Sequence, residues 1–213
     1  PVRSECAHYG PNRWADHLPE MPSVVESWWA AMEAFSSRLM AGLADAVGLQ
    51  GKGLAEAMEA PLTNVTLLHY PGRRANDPAP GFHPHKDITV VTILDPDPVG
   101  GLEVRTRDGD WVEAGCPDDA LLVNVGDLLE VWSGGRLVST PHRVTNPEGV
   151  ERYSAPFFVV PNHRVVVEPL LDPVDGFESR SVDVGRVTAE VWRTNWPGEA
   201  PSDSASHLGS VEP

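Results

Sequence analysis

His85-Lys86-Asp87, His142 and Arg152-Tyr153-Ser154 are the residues of this chain whose types and order could do chemistry. His142 follows Asp87 by 55 residues, and Arg152 lies ten residues beyond His142. Two imidazoles and a carboxylate are the ligand set of a facial non-haem iron site, which leaves coordination positions open. A planar guanidinium with a hydroxyl two residues on is a grip for a carboxylate. Together they suggest one pocket for Fe(II), dioxygen and a carboxylate-bearing co-substrate. A structural zinc site would instead fill all its positions.

Each signal alone is weak. Among 8 histidines and 31 acidic residues, one His-x-Asp triplet arises easily by chance. A lone arginine on a strand is usually a solvated or salt-bridged surface group. The order and context of the pieces carry more. If His85 and Asp87 lie in one strand, residues i and i+2 share a face, so both reach one ion while Lys86 points away. Arg152 and Ser154 share a face by the same argument. Tyr70, at the end of an earlier strand, could donate a phenolic hydrogen bond to the gripped carboxylate. His69 is expected on the opposite side of that strand, His83 in the loop before His85, and His163 in a turn as a surface or capping group. His8, His17 and His207 fall in irregular segments.

The chain has 213 residues, enough for one large β domain or two small ones. A formal charge of −15 repels nucleic acid and anionic membranes, which favours a small-molecule substrate held by local cations. No apolar run is long enough to span a membrane. Cys6 and Cys116 form no disulfide framework and read as reduced thiols of a cytoplasmic protein, expected to act as a monomer. The chain begins at Pro1 rather than Met, so residues are expected ahead of it.

Several elements must position these groups. Residues 1–22 read as an irregular lead-in. Ser23-Val24-Val25-Glu26 has the form of a capping box. Val25, Trp28, Trp29, Met32, Phe35, Leu39, Leu43 and Val47 then make one apolar face of a long helix closed by Gly48. The two tryptophans continue that stripe and read as packing. A shorter helix near 53–59 ends at Pro61. Strands are predicted at 62–70, 85–94, 102–107, 111–114, 121–125, 128–132, 142–145, 153–160 and 165–168, with Asp108-Gly109 as a hairpin turn. A closing helix is predicted over 184–194 and a fraying tail from Gly198. Many short strands with a helical support predict a mainly β jelly roll. The division follows as supporting helices over 1–60, the core over 61–170 and the C-terminal helix and tail over 171–213.

These residues resemble the isopenicillin N synthase-like branch of the Fe(II)/2-oxoglutarate-dependent oxygenases. The matching landmarks run from Gly10-Pro11-Asn12-Arg13-Trp14 to about Trp192. Between them lie the long helix, Leu68-His69-Tyr70-Pro71, His85-Lys86-Asp87, Gly100-Gly101-Leu102-Glu103-Val104, Val123-Asn124-Val125-Gly126-Asp127, Thr140-Pro141-His142-Arg143-Val144 and Arg152-Tyr153-Ser154-Ala155-Pro156-Phe157-Phe158. The resemblance implies a double-stranded β-helix backed by the long helix, with His85, Asp87 and His142 on the iron. It implies Arg152 and Ser154, assisted by Tyr70, on the distal carboxylate of 2-oxoglutarate, and Phe158 as an aromatic wall beside the substrate. Glu103 and Asn124 would be structural. The implied reaction is hydroxylation, desaturation or ring formation on a small metabolite, releasing succinate and carbon dioxide. Leu68 departs from the Asn common there, and Lys86 from a smaller residue. Relatives carry roughly a hundred residues before this region, which help wall the substrate pocket.

Other readings stay open on the sequence. An oxidase of the isopenicillin N synthase type would use Arg152 and Ser154 on the substrate's own carboxylate. A non-catalytic jelly-roll binding protein would have lost a ligand, and all three are present. A hydrolytic zinc enzyme would leave the Arg-x-Ser grip unexplained.

Overall fold

In the computed structural model, the β-rich middle of the chain pairs into two four-stranded antiparallel sheets rather than one continuous sheet. The structure describes residues 11–49, 51, 53–74 and 81–195. Cys6, His8, His207, the first part of the lead-in and the tail from Gly198 lie outside the described residues. Two compact units form. One holds the described residues up to Pro61, 161–167 and from Ser181; the other holds Leu62–Val160 and Glu168–Arg180.

The first unit contains α1 (Met21–Val47) and α2 (Leu54–Ala57). The capping box does not form. The helix starts two residues ahead of Ser23, with proline in its first turn, and the Ser23 hydroxyl donates back to the Glu20 carbonyl at 2.9 Å. Proline at that position gives up only an amide with no helical partner and has its φ already set, so it starts the helix before the cap can act. Met32, Ser36, Met40 and Ala44 form the buried line of α1, flanked by half-buried Phe35, Leu39, Leu43 and Val47. Gly48 closes the helix at φ 79°, a left-handed conformation that glycine adopts at little cost.

The second unit carries the sheets. Its elements are β1 (Asn64–Val65), β2 (Leu68–Tyr70), β3 (Phe82–His85), β4 (Val91–Leu94), β5 (Leu102–Arg105), β6 (Trp111–Glu113), β7 (Leu122–Val125), α3 (Asp127–Trp132), β8 (His142–Val144), β9 (Arg152–Ser154) and β10 (Phe157–Val159). One sheet has the order β1-β10-β4-β7, the other β3-β8-β5-β6, and β2 pairs with β9 alone. Leu94 of the first sheet packs with Leu102 and Val144 of the second, and Tyr70, Ala114 and Leu122 close around them. This is the sandwich arrangement of a jelly roll, with side chains alternating between an inner and an outer face.

Three predicted strands are broken. The run 62–70 divides into β1 and β2, and 153–160 into β9 and β10, because the chain leaves one ladder for another. Pro156 has no amide to continue a ladder, and its carbonyl accepts from Thr66 instead, at 3.3 Å. The run 85–94 divides into β3 and β4 on different sheets. Residues 128–132 are not a strand but the helix α3. Leu128, Leu129, Glu130, Val131 and Trp132 are all buried, so the segment has no exposed face and shows no period to separate helix from strand.

Back in the first unit, β11 (Val166–Val167) pairs with β12 (Val182–Asp183), and α4 (Val184–Asn195) follows. The predicted closing helix forms despite Gly185. Asp183 caps it by accepting from the Arg186 amide at 2.8 Å. His163 lies in a turn as predicted but is buried, not at the surface. The Cys116 thiol is free, half-buried, and donates to the Ala120 carbonyl. Among the described residues no helix is long and apolar enough to cross a membrane.

Candidate metal centre and carboxylate grip

His85 ends β3 and stands opposite His142 of β8, which stands opposite Val104 of β5. Cross-strand partners share a face, so both imidazoles look inward beside Val104. Asp87 lies just past β3, not in a strand with His85. Its segment crosses between the sheets, and its carbonyls bond to the start of α3 rather than to a ladder. Asp87, Thr89 and Val90 accept from the amides of Asp127, Leu128 and Gly126 at 2.8, 3.0 and 3.0 Å. The two ligand types therefore converge for a different reason than a shared strand face.

The potential ligand atoms of His85, Asp87 and His142 all lie within 4.8 Å of one another, the one such group among the described residues. Asp87 Oδ1 faces the Nε2 atoms of both His85 and His142 at 3.5 Å. Each imidazole has its Nδ1 on a carbonyl two residues back: His83 at 2.8 Å and Thr140 at 3.2 Å. A carbonyl only accepts, so Nδ1 carries the hydrogen and Nε2 is left bare for a cation. His83 itself is an exposed residue of β3, not of a loop, and contributes only that carbonyl.

Burial of Asp87 would raise its carboxyl. A hydrogen bond from the His85 ring when it is protonated, the nearby His142, and hydrogen bonds from Thr92 and Asn124 outweigh burial and bring it down to about 2. Thr92 donates to Oδ2 at 2.6 Å and Asn124 at 2.9 Å. One carboxylate oxygen is thus held by the protein and the other left to the histidines. Asn124, expected to be structural, instead touches the carboxylate directly. Its position opposite Thr92 on the β7–β4 ladder explains why. Phe158 stands on the other side of Thr92, on β10, in the same cross-strand row. Glu103 does serve the sheet: it pairs with Arg143 at 2.8 Å and accepts from the Thr145 hydroxyl at 2.7 Å.

The second group is on the β2–β9 pair. Tyr70 is in register with Arg152 and Leu68 with Ser154, so these four side chains share one face. His69 and Tyr153 share the other, stacked at 4.7 Å, which places His69 away from the site as predicted. Arg152 is only 1% exposed. Its Nε donates to the Gly100 carbonyl at 2.9 Å, and its guanidinium carbon lies 5.0 Å from the centre of the Tyr70 ring. Nη1 is buried with no partner. Burial raises the Tyr70 phenol above its usual value against the opposing pull of Arg152, so it stays a donor. A buried guanidinium N–H without an acceptor is costly, and an anionic oxygen is its natural complement. The donor sets fit a divalent metal at one place and a carboxylate at the other.

The comparisons agree with this chemistry. Residues 62–161 match the family model described as the 2OG-Fe(II) oxygenase superfamily. The chain is 32% identical over 174 residues to the proline hydroxylase buaE of Petromyces alliaceus, covering 75% of this chain and 54% of that one. It is 33% identical over 149 residues to gibberellin 2-beta-dioxygenase 8 of Arabidopsis thaliana, covering 70% and 44%. The chain thus spans about half the length of the curated relatives it matches. Among solved structures, a full-length Neurospora crassa protein in complex with alpha-KG and thymine superposes with a TM-score of 0.76 at 25% identity, covering 87% of this chain and 61% of that one. JOX2 in complex with 2OG, Fe and JA gives 0.74 at 27% identity, covering 84% and 54%. The double-stranded β-helix, its inward His-Asp-His group and this match converge on one assignment: residues 62–161 form a domain of the 2OG-Fe(II) oxygenase superfamily.

Proposed function

We propose that the chain is the core of an Fe(II)- and 2-oxoglutarate-dependent oxygenase that oxidises a small-molecule metabolite in the cytoplasm. The observation that carries this reading is the buried, partnerless Nη1 of Arg152 beside a protonated Tyr70, in the same domain as the His-Asp-His group. His85, Asp87 and His142 would hold the iron, with three positions left open. Arg152, Ser154 and Tyr70 would bind the distal carboxylate of 2-oxoglutarate, and Phe158 would flank the substrate. When bound, the iron and 2-oxoglutarate supply the oxidising power, with succinate and carbon dioxide released, for hydroxylation, desaturation or ring formation.

The chain's own residues do the rest. The Nδ1 bonds to His83 and Thr140 fix both imidazole tautomers, and Thr92 and Asn124 aim the Asp87 carboxylate. Lys86 turns away from the centre, toward α3. The alternative, an oxidase that grips its substrate with Arg152 and Ser154, has less support. Solved relatives hold alpha-KG or 2OG, and the named relatives include 2-oxoglutarate-dependent dioxygenase 11 of Oryza sativa.

Anaerobic titration of the Fe(II)-loaded protein with 2-oxoglutarate should produce a weak visible charge-transfer band, and oxygen should then release succinate. The absence of both would sink the proposal.

A further inference from the structure

Glu130 ties together the two stretches of chain that carry the candidate metal ligands. It is buried, at 7% exposure, on α3. Its Oε2 accepts from Lys86 Nζ at 3.3 Å, and Lys86 stands between His85 and Asp87. Its Oε1 accepts from the Ser139 amide at 3.2 Å. The residue after Ser139 is Thr140, whose carbonyl holds the His142 ring at 3.2 Å. The same helix start takes the Asp87 and Thr89 carbonyls on its first amides. Arg180 adds a second cation, 3.7 Å from both Asp127 and Glu130, and Lys86 also lies 3.8 Å from Asp127.

We infer that Glu130 is a positioning residue for the metal centre, acting through Lys86 on His85 and Asp87 and through Ser139 on His142. The inference rests on the proposed metal role of those three residues. A buried carboxylate is costly unless its oxygens are satisfied. Here each oxygen is satisfied by a different ligand-bearing segment, so one side chain adds a tie between the two segments beyond the β3–β8 ladder that pairs His85 with His142. Residues that orient ligands from behind typically govern metal affinity by about 10–100-fold. This role also accounts for the lysine in the middle of the triplet: a shorter neutral residue there could not reach Glu130.

The test measures metal binding and not turnover. Co(II) is titrated into the intact chain and into Glu130→Gln, Lys86→Met and Lys86→Arg, following the ligand-field absorption, with thermal unfolding of each metal-free protein alongside. Glu130→Gln keeps the volume and an oxygen for Ser139 but removes the charge. The expected result is about tenfold weaker Co(II) binding by Glu130→Gln and by Lys86→Met, with a shifted absorption band and near wild-type binding by Lys86→Arg. Co(II) binding within twofold of wild type by Lys86→Met would overturn the inference. So would a Lys86→Arg variant as weak as Lys86→Met. If Glu130→Gln does not fold, the partly exposed Lys86 variants decide alone. A wild-type chain that takes no Co(II) would overturn the metal reading and this inference with it.

Discussion

Tyr70 and Arg152 face each other across the β2–β9 ladder, with the guanidinium carbon of Arg152 5.0 Å from the centre of the Tyr70 ring. The ring covers one face of the guanidinium and the Gly100 carbonyl takes Nε, so Nη1 is left for a ligand. Replacing Arg152 by Gln should weaken 2-oxoglutarate binding by about 100-fold, a loss of ~3 kcal/mol of charge-assisted hydrogen bonding. Tyr70→Phe should cost about fivefold, one neutral hydrogen bond. Metal affinity should be unchanged in both. Calorimetric titration of 2-oxoglutarate into the metal-loaded proteins checks this, and an unaltered affinity in Arg152→Gln would remove the grip from the proposal.

Metal loading should fall with acid in the histidine range and not in the carboxylate range. Burial lowers His85, but its hydrogen bonds to Asp87 and the His83 carbonyl and the Asp87 charge raise it further, to a net value above the usual imidazole. His142 is lowered by burial and by His85, against the pull of Asp87. His85 therefore takes the first proton as pH falls, while Asp87 stays ionised to about 2. A ligating imidazole must be neutral, so protons compete with metal once the pH falls through the His85 value. The apparent affinity should then drop about tenfold per pH unit, one proton per metal. Co(II) titrations from pH 8 to 5 measure that slope; affinity held flat across that range would contradict it.

In the metal-free protein His85 should contribute with the opposite sign, and the lowered His142 against it. A raised His85 contributes stability that is complete below its unfolded value and lost as pH rises through the folded one. The depressed Asp87 contributes stability that is present above its unfolded value and lost as pH falls toward about 2. Urea midpoints of the metal-free chain should decline on the acid side between about pH 4 and 2, and Asp87→Asn should flatten that decline.

Gly126 and Gly101 should tolerate no side chain. A Cβ at Gly126 would run into the carbonyl and hydroxyl of Thr89, in the segment that bonds to α3. A Cβ at Gly101 would meet the Thr145 carbonyl, and Gly101 is at φ 79°. Either alanine variant should lose about 2 kcal/mol or more. Gly115 has open space around it, so Gly115→Ala serves as the control, within about 0.5 kcal/mol of wild type. Equilibrium urea unfolding separates the three.

The candidate ligands and the candidate grip could be picked out because each is a residue type with few structural uses in that order. What supports them was not. Asn124 and Thr92 read as ordinary strand residues, and only the β4–β7 register puts both on Asp87. The helix α3 read as a strand because burial on every side erased its period. With it went Glu130, whose partners Lys86 and Ser139 lie 44 and nine residues away. The one available signal was Asp127 followed by Glu130, two acids at helical spacing in a first turn. The strand breaks at Thr66 and Pro156 depend on which ladder each half joins, a property of the sheets and not of the local run.

Phe158 should affect the substrate and leave the metal and co-substrate alone. It is the cross-strand partner of Thr92, which bonds Asp87, so its side chain lies on the sheet face that carries the metal support. It is half-buried, unlike its fully buried neighbour Phe157 on the opposite face. An aromatic ring on the inner face that is not consumed by the core is available to a ligand. Phe158→Ala should bind Co(II) and 2-oxoglutarate within twofold of wild type. With a compound that stimulates succinate release by the wild type, the variant should need about tenfold more of it, the loss of ~1.5 kcal/mol of apolar contact. Succinate release without that compound should persist. If Phe158→Ala lost co-substrate binding and kept its response to the compound, the ring would belong to the 2-oxoglutarate side of the pocket.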